Sequence, residues 1–503
     1  MSQRSDAPQS VGSAEPPQAD RLRSNSIGVG HIVFFVVSAA APLSGVVLAL
    51  PVIIGAGNGV GAAGAFVVAA AVLLLFAVGY TAMSRHIVNA GGFYTFVAQG
   101  LGRVAGLGAA TMAIFAYTAI QAGMFGALGA FVDRLVQSYF DVSIPWWIYS
   151  ALGVAAVVLL GMREVKLGGR VLGVILVLET SLILVLDVAV LVTGGASGDG
   201  FTGLSWEPFA PAAVLSGSVG IALIFAYNTF IGFEATTIYG EEAIDPKRTV
   251  PRATYLAVSI MGLFYGASAW LMINAYGLDV VVGRAQEDPE SFAANAVEAQ
   301  LGSTATSLMG LLVVTSIFAA VLAFHNTLAR YLYALGRQGL IWPTLGRTSQ
   351  KHRSPYIACL VQAATALVIV AAFALVGADP YTEMFVWASG LGSIAVILLQ
   401  LCAGIAVFAF FRRSNVDKRV WHTIVAPILA IIGLASITAV ALNNFGLLIG
   451  SPGPAIDLLM ASVIAFAALA GALRAIWLRH RDPASYHRIG SVADGVEVEN
   501  VGF

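Results

Sequence analysis

Two carboxylates stand alone inside an apolar run. The segment VLGVILVLETSLILVLDVAVLV carries Glu179 and Asp187 among sixteen Leu, Ile and Val residues, eight positions and so about 12 Å apart along a helix axis. An acid at the centre of a bilayer costs about 2.5–3.5 kcal/mol on insertion scales, while each large aliphatic residue returns about 0.3–0.6 kcal/mol, so the segment still inserts. Low dielectric favours a neutral carboxylic acid. A group such as Glu179 is therefore suited to bind a proton in one conformation and release it in another, although a carboxylate equally ligates sodium. A hydrogen-bonded structural acid is the plainer alternative for both residues. His325, in LAFHNTLAR, and Glu234 are further ion-coupling candidates, the histidine because its ring titrates near neutral pH. Phe324 beside it is a candidate gate.

Two other clusters bear on backbone chemistry. In VVSAAAPLSGVVLALP, Pro42, Ser44 and Gly45 fall near the middle of an apolar stretch; proline has no N–H for the preceding turn, so the helix is expected to open around residues 40–45. In GIALIFAYNTFIGFEATTIYG, Asn228, Thr229 and Gly232 interrupt a second stretch at comparable depth. An opened helix exposes amides at the start of one half and carbonyls at the end of the other, which are the anion and cation sites that a zwitterion needs. The expected carboxylate site is at Ala41, Ser44 and Gly45, and the expected ammonium site at the Ala226, Tyr227 and Asn228 carbonyls, with Ile231 and Gly232 completing the second break. Tyr117, Gln121 and Met124 are spaced to share a helix face and to close the pocket. A packing kink is the alternative for each break alone.

The elements that must position these groups span a membrane. Of the 503 residues, 58% are hydrophobic and 11% charged, with a mean hydropathy of +0.85, which a water-exposed surface does not tolerate. Apolar stretches long enough to cross about 30 Å of hydrocarbon recur twelve times. They divide into 27–192, 213–411 and 424–477, flanked by polar tails at 1–26, expected to be disordered and free of a signal-type apolar region, and at 479–503. With both termini cytoplasmic, only Arg134 and Arg284 of the 26 lysines and arginines fall outside, as basic residues stay inside during insertion. The cluster Glu241, Glu242, Asp245, Lys247, Arg248 and Arg252 then lies at the cytoplasmic surface, as a solvated helix end or a latch. Cys359 and Cys402 both lie in spans and read as packing residues. No basic cluster points to nucleic acid, and no metal-ligand set, phosphate loop or catalytic motif points to an enzyme or a cofactor.

Directly after the sixth span, GFEATTIYGEEAIDPKRTVPRA resembles the amino acid-polyamine-organocation permeases, as do NAGGFYTFVAQGLGR and ARYLYALGRQGLIWP. This resemblance covers about residues 28–411. It implies an all-α polytopic fold of twelve transmembrane helices, a five-plus-five inverted repeat of the neurotransmitter-sodium symporter type with helices 1 and 6 broken, and two peripheral helices. It also implies alternating-access transport of an amino acid or amine across the cytoplasmic membrane, with a proton or sodium as coupling ion, by a monomer or homodimer. Ser44 and Gly45 match the family's Ser-Gly-Val element, Gln121 and Met124 match substrate-contacting positions, and Tyr227, Asn228 and Ile231 match gate and pocket positions. Leu43 stands where many members have Gly, and Asn228 where an aromatic is usual. In proton-coupled relatives a lysine near the position of Glu179 replaces the sodium ion. Exchange, and sensing without transport, are the competing functions.

Overall fold

The computed structural model describes residues 27–87, 92–162, 168–238, 243–349, 354–414, 416–444, 446 and 454–490. The tail 1–26, residues 491–503, Glu241 and Glu242 lie outside the described residues. All regular structure among them is helical; the only strand-like contact is one isolated bridge, Ile27 to Ala243. Among the described residues, nine helices are long and apolar enough to cross a membrane, and three shorter apolar helices, Val29–Ser38, Trp146–Gly161 and Val219–Asn228, accompany them.

In chain order the principal elements are α1 (Val29–Ala40), α2 (42–58), α3 (Ala62–Ser84), α4 (Arg103–Phe140), α5 (Trp146–Gly161), α6 (Gly168–Thr193), α7 (Val219–Asn228), α8 (Pro246–Tyr276), α9 (Ser303–Arg337), α10 (Tyr356–Leu375), α11 (Val386–Ser414), α12 (Ala426–Asn443) and α13 (Pro454–Arg481). Helix α3 packs along α8, and α4 along α11 and α13. Lipid is as apolar as leucine, so such helices associate through close van der Waals contact and need small residues where they cross. Gly126 of α4 shows this, since a Cβ there would lie 2.6 Å from the Pro380 carbonyl.

Helix α1 stops because Pro42 cannot continue it. Ala41 takes a left-handed conformation, φ 46°, and its N–H closes the last turn on the Val37 and Ser38 carbonyls. A non-glycine residue there costs about 1–2 kcal/mol, which marks the break as held by its surroundings. The chain restarts at once as α2, loosened by π-helical turns at Gly45–Ala49 and Ile53–Asn58. The loosened Leu48 carbonyl accepts the Tyr381 hydroxyl at 2.8 Å.

The second interruption follows α7. Residues 229–234 turn without continuing the helix, with Gly232 at φ 116°, and helix resumes at Ala235–Ile238. At 1.5 Å per residue the ten residues of α7 and the twelve of α1 cover only about half a bilayer each.

Candidate functional site

The two interruptions face one another across a small cavity. Ser44 and Gly45 of α2, Met124 of α4, Asn228 and Ile231 beside the second break, and Phe324 of α9 all line it. Its volume is about 30 Å3, room for one or two waters and far too little for an amino acid. At one end Tyr381 lies over Phe385, their rings stacked 5.4 Å apart, with Phe225 6.2 Å from Phe385. At the other end Phe324 tilts against Tyr117 at 6.2 Å.

Helix geometry leaves the first-turn amides of Leu43 and Ser44 without an intrahelical partner, whereas the Gly45 N–H donates to the Ala41 carbonyl at 3.0 Å. This differs from the sequence expectation: the free donors are Leu43 and Ser44, not Gly45. Gly45 has another reason to be glycine, since a Cβ there would sit 2.5 Å from Cε1 and 2.7 Å from the hydroxyl oxygen of Tyr265.

The carbonyls expected at the second break are also partly engaged. Ala226 accepts the Thr229 hydroxyl at 2.7 Å, Tyr227 accepts the Phe230 amide, and Asn228 accepts the Ile231 amide. Glu234 braces this turn: the Gly232 N–H donates to its Oε2 at 2.9 Å and the Tyr117 hydroxyl to its Oε1 at 2.5 Å. Tyr117 therefore ties α4 to the break instead of lining the cavity. Removing its hydroxyl strips a buried carboxyl group of one partner, so Tyr117→Phe should cost about 1–3 kcal/mol. A lowered Tm in detergent checks this, and an unchanged Tm would show that the contact does not hold the turn.

Gln121 also turns away from the cavity. Its Nε2 donates to the Val321 carbonyl at 3.2 Å, and its Oε1 accepts from Gln362, whose own Oε1 contacts His325 Nδ1. Because Gln362 presents an oxygen there, Nδ1 must carry the hydrogen, and His325 Nε2 is left buried with no partner. His325 belongs to this scaffold chain linking α4, α9 and α10, not to the cavity wall. Tyr117, Gln121 and Met124 share one stripe of α4, but Tyr117 is engaged by Glu234 and Gln121 by Val321 and Gln362, while Met124 lines the cavity.

The intramembrane acids separate in role. Asp187 accepts the Ser268 hydroxyl at 2.7 Å, a bond that ties α6 to α8. At the break itself, Ser44 donates to Ser316 Oγ at 2.9 Å, and Glu179 is buried close to Ser316. Its Oε2 is buried without a partner. In the surface cluster, Arg248 and Asp245 form an exposed ion pair at 3.5 Å.

Sequence reasoning missed Ser316, which meets Ser44, and Ile120, Ala320 and Phe385, which line the cavity. A serine or alanine in an apolar helix carries no local signal of the partner that meets it. Ser389 and Ser393, the two ends of SGLGS, were missed as well, although two hydroxyls four residues apart share a helix face.

A family model described as "Amino acid permease" matches residues 33–470. The chain is 27% identical over 315 residues to the low-affinity putrescine importer PlaP of Escherichia coli (strain K12), covering 61% of this chain and 66% of the importer. It is 24% identical over 321 residues to the branched-chain amino acid permease BcaP of Bacillus subtilis (strain 168), covering 58% and 63%. To the histidine permease HisP of Lactococcus lactis subsp. cremoris (strain MG1363) it is 26% identical over 310 residues, covering 58% and 62%. The chain thus spans just under two thirds of the length of each of these relatives.

Proposed function

Since the chain belongs to the amino acid permease family, we propose that it is a secondary transporter carrying an amino acid or related amine across the cytoplasmic membrane by alternating access, with protons as the coupling ion. The relatives' names include a diamine importer and amino acid permeases, which supports that range of substrate. In this reading the chain crosses the bilayer twelve times with both termini cytoplasmic. Residues 27–192 and 213–411 are inverted repeats, and 424–477 form two peripheral helices.

The observation that carries the proposal is the meeting of the two helix interruptions at one cavity. The substrate carboxylate takes the Leu43 and Ser44 amides, and the ammonium lies on the side of Asn228. Between them, Met124, Ile231 and Phe324 move apart as the site fills.

Glu179 is the proton carrier. An ionised carboxylate with a bare buried oxygen would hold an uncompensated charge in low dielectric, and a proton removes that charge. Ser44 donates to Ser316, which lies close to the acid, so the electrostatic state of Glu179 bears on the carboxylate site and changes when α2 moves. Proton and substrate are thereby bound to one conformation, which is what thermodynamic coupling requires.

The test is uptake by proteoliposomes with an alkaline lumen, using labelled amino acids in the presence and absence of sodium. Accumulation that a protonophore abolishes and sodium leaves unchanged is the expected result. Accumulation that needs sodium would transfer the coupling to that ion, and substrate that binds without entering the lumen would indicate a sensor.

A further inference from the structure

Asn228 ends α7 at the edge of the cavity. Its Nδ2 lies 2.6 Å from Ser393 Oγ and 3.4 Å from the Ser389 carbonyl oxygen. The single hydroxyl hydrogen of Ser393 is committed to that same Ser389 carbonyl at 2.6 Å. Both atoms facing Asn228 are therefore acceptors, and only the NH2 half of the side-chain amide satisfies them. The orientation of the amide is fixed by its neighbours, and Oδ1 is the polar atom left for the cavity.

The surrounding wall is neutral. Ile120, Met124, Ile231, Ala320, Phe324 and Phe385 are apolar, and among the described residues no Asp, Glu, Lys, Arg or His lines the cavity. Glu234 has both carboxylate oxygens occupied, by Tyr117 and by the Gly232 amide. Glu179 is not among the residues that line the cavity.

We infer that this site selects neutral, zwitterionic amino acids with apolar side chains, and that Asn228, held by Ser393, is the specificity-determining acceptor for their ammonium group. The inference rests on the transport reading above and narrows its substrate. A zwitterion brings its own countercharge, so a neutral amide dipole suffices for its single cation. A diamine brings two cations and no carboxylate, leaving the Leu43 and Ser44 amides unused and both charges without an acid. An arginine side chain meets the same wall of aliphatic and aromatic groups. A buried polar partner left unpaired is the strongest source of rejection available to such a site.

Proteoliposomes containing the full chain are offered labelled leucine, alanine, arginine, putrescine or glutamate, one at a time. Leucine and alanine should accumulate, and the three others should stay near the level of protein-free vesicles. Asn228→Asp should raise uptake of arginine and putrescine relative to leucine by about tenfold, a gain that misfolding cannot produce. Ser393→Ala, which unpins the amide, should raise the KM for leucine with little change in kcat, and Ser393→Thr should restore it. Uptake led by putrescine or arginine in the unaltered protein would overturn the substrate class and leave the transport reading standing. An unchanged preference in Asn228→Asp would overturn the role of Asn228. Uptake of none of the five would overturn the transport reading itself, and the class with it.

Discussion

Glu179→Gln should abolish accumulation while leaving exchange intact. A gradient of one pH unit is worth about 1.4 kcal/mol for each proton, so one coupled proton sustains about tenfold accumulation. Glutamine keeps the size of the side chain but binds no proton. The variant should equilibrate labelled substrate to a ratio of one and still exchange it for unlabelled substrate across the membrane. The sign of the pH effect follows from the same group. Acidifying the outside loads Glu179 on the uptake side and should speed wild-type uptake, and the variant should lose that dependence. Tenfold accumulation by Glu179→Gln would remove this acid from coupling, and Asp187, held by Ser268, would be the next acid to replace.

Gly45→Leu should reduce uptake by about a hundredfold or more. Its Cβ would stand 2.5 Å from the ring of Tyr265, where real atoms do not approach. The ring cannot easily retreat, since it stacks on Phe66 at 5.5 Å, meets Phe230 edge-on at 5.9 Å and donates to the Ala40 carbonyl at 3.3 Å. The substitution therefore pushes α2 away from α8 and displaces the Leu43 and Ser44 amides with it. Overpacking of this kind costs about 1–3 kcal/mol, so the protein should remain monodisperse in detergent while transport fails. Gly45→Ala should show a milder form of the defect, and adding Tyr265→Leu to it should restore part of the activity, because the two sites share one contact. Wild-type uptake by Gly45→Leu would place the binding site elsewhere.

How much of this was legible in the sequence depends on whether the cause was local. The break at Ala41 could be read because Pro42 lacks an N–H whatever surrounds it. The second break could be read because Asn228, Thr229 and Gly232 all favour leaving a helix. What each side chain then does depends on residues far along the chain. Ser44 meets Ser316, Asn228 meets Ser393 and Tyr117 meets Glu234 across separations of 272, 165 and 117 positions. Helical spacing placed Tyr117, Gln121 and Met124 on one stripe but says nothing of which neighbour passes each turn. The same limit explains Gly45, which was read as a donor of backbone amide when its nearest constraint is the ring of Tyr265. The membrane character was plain from composition. The count of crossings is harder to take from helix length, because an interrupted helix yields two pieces too short to qualify on their own.

The most direct measurement is of lumenal pH. Proteoliposomes carrying a trapped pH indicator are equilibrated without any gradient, and leucine is added outside. Leucine entering with protons should acidify the lumen in proportion to the amino acid taken up, and Glu179→Gln should show entry without acidification. Leucine accumulating in the wild type while lumenal pH stays constant would contradict proton-coupled carriage at the meeting point of the two broken helices.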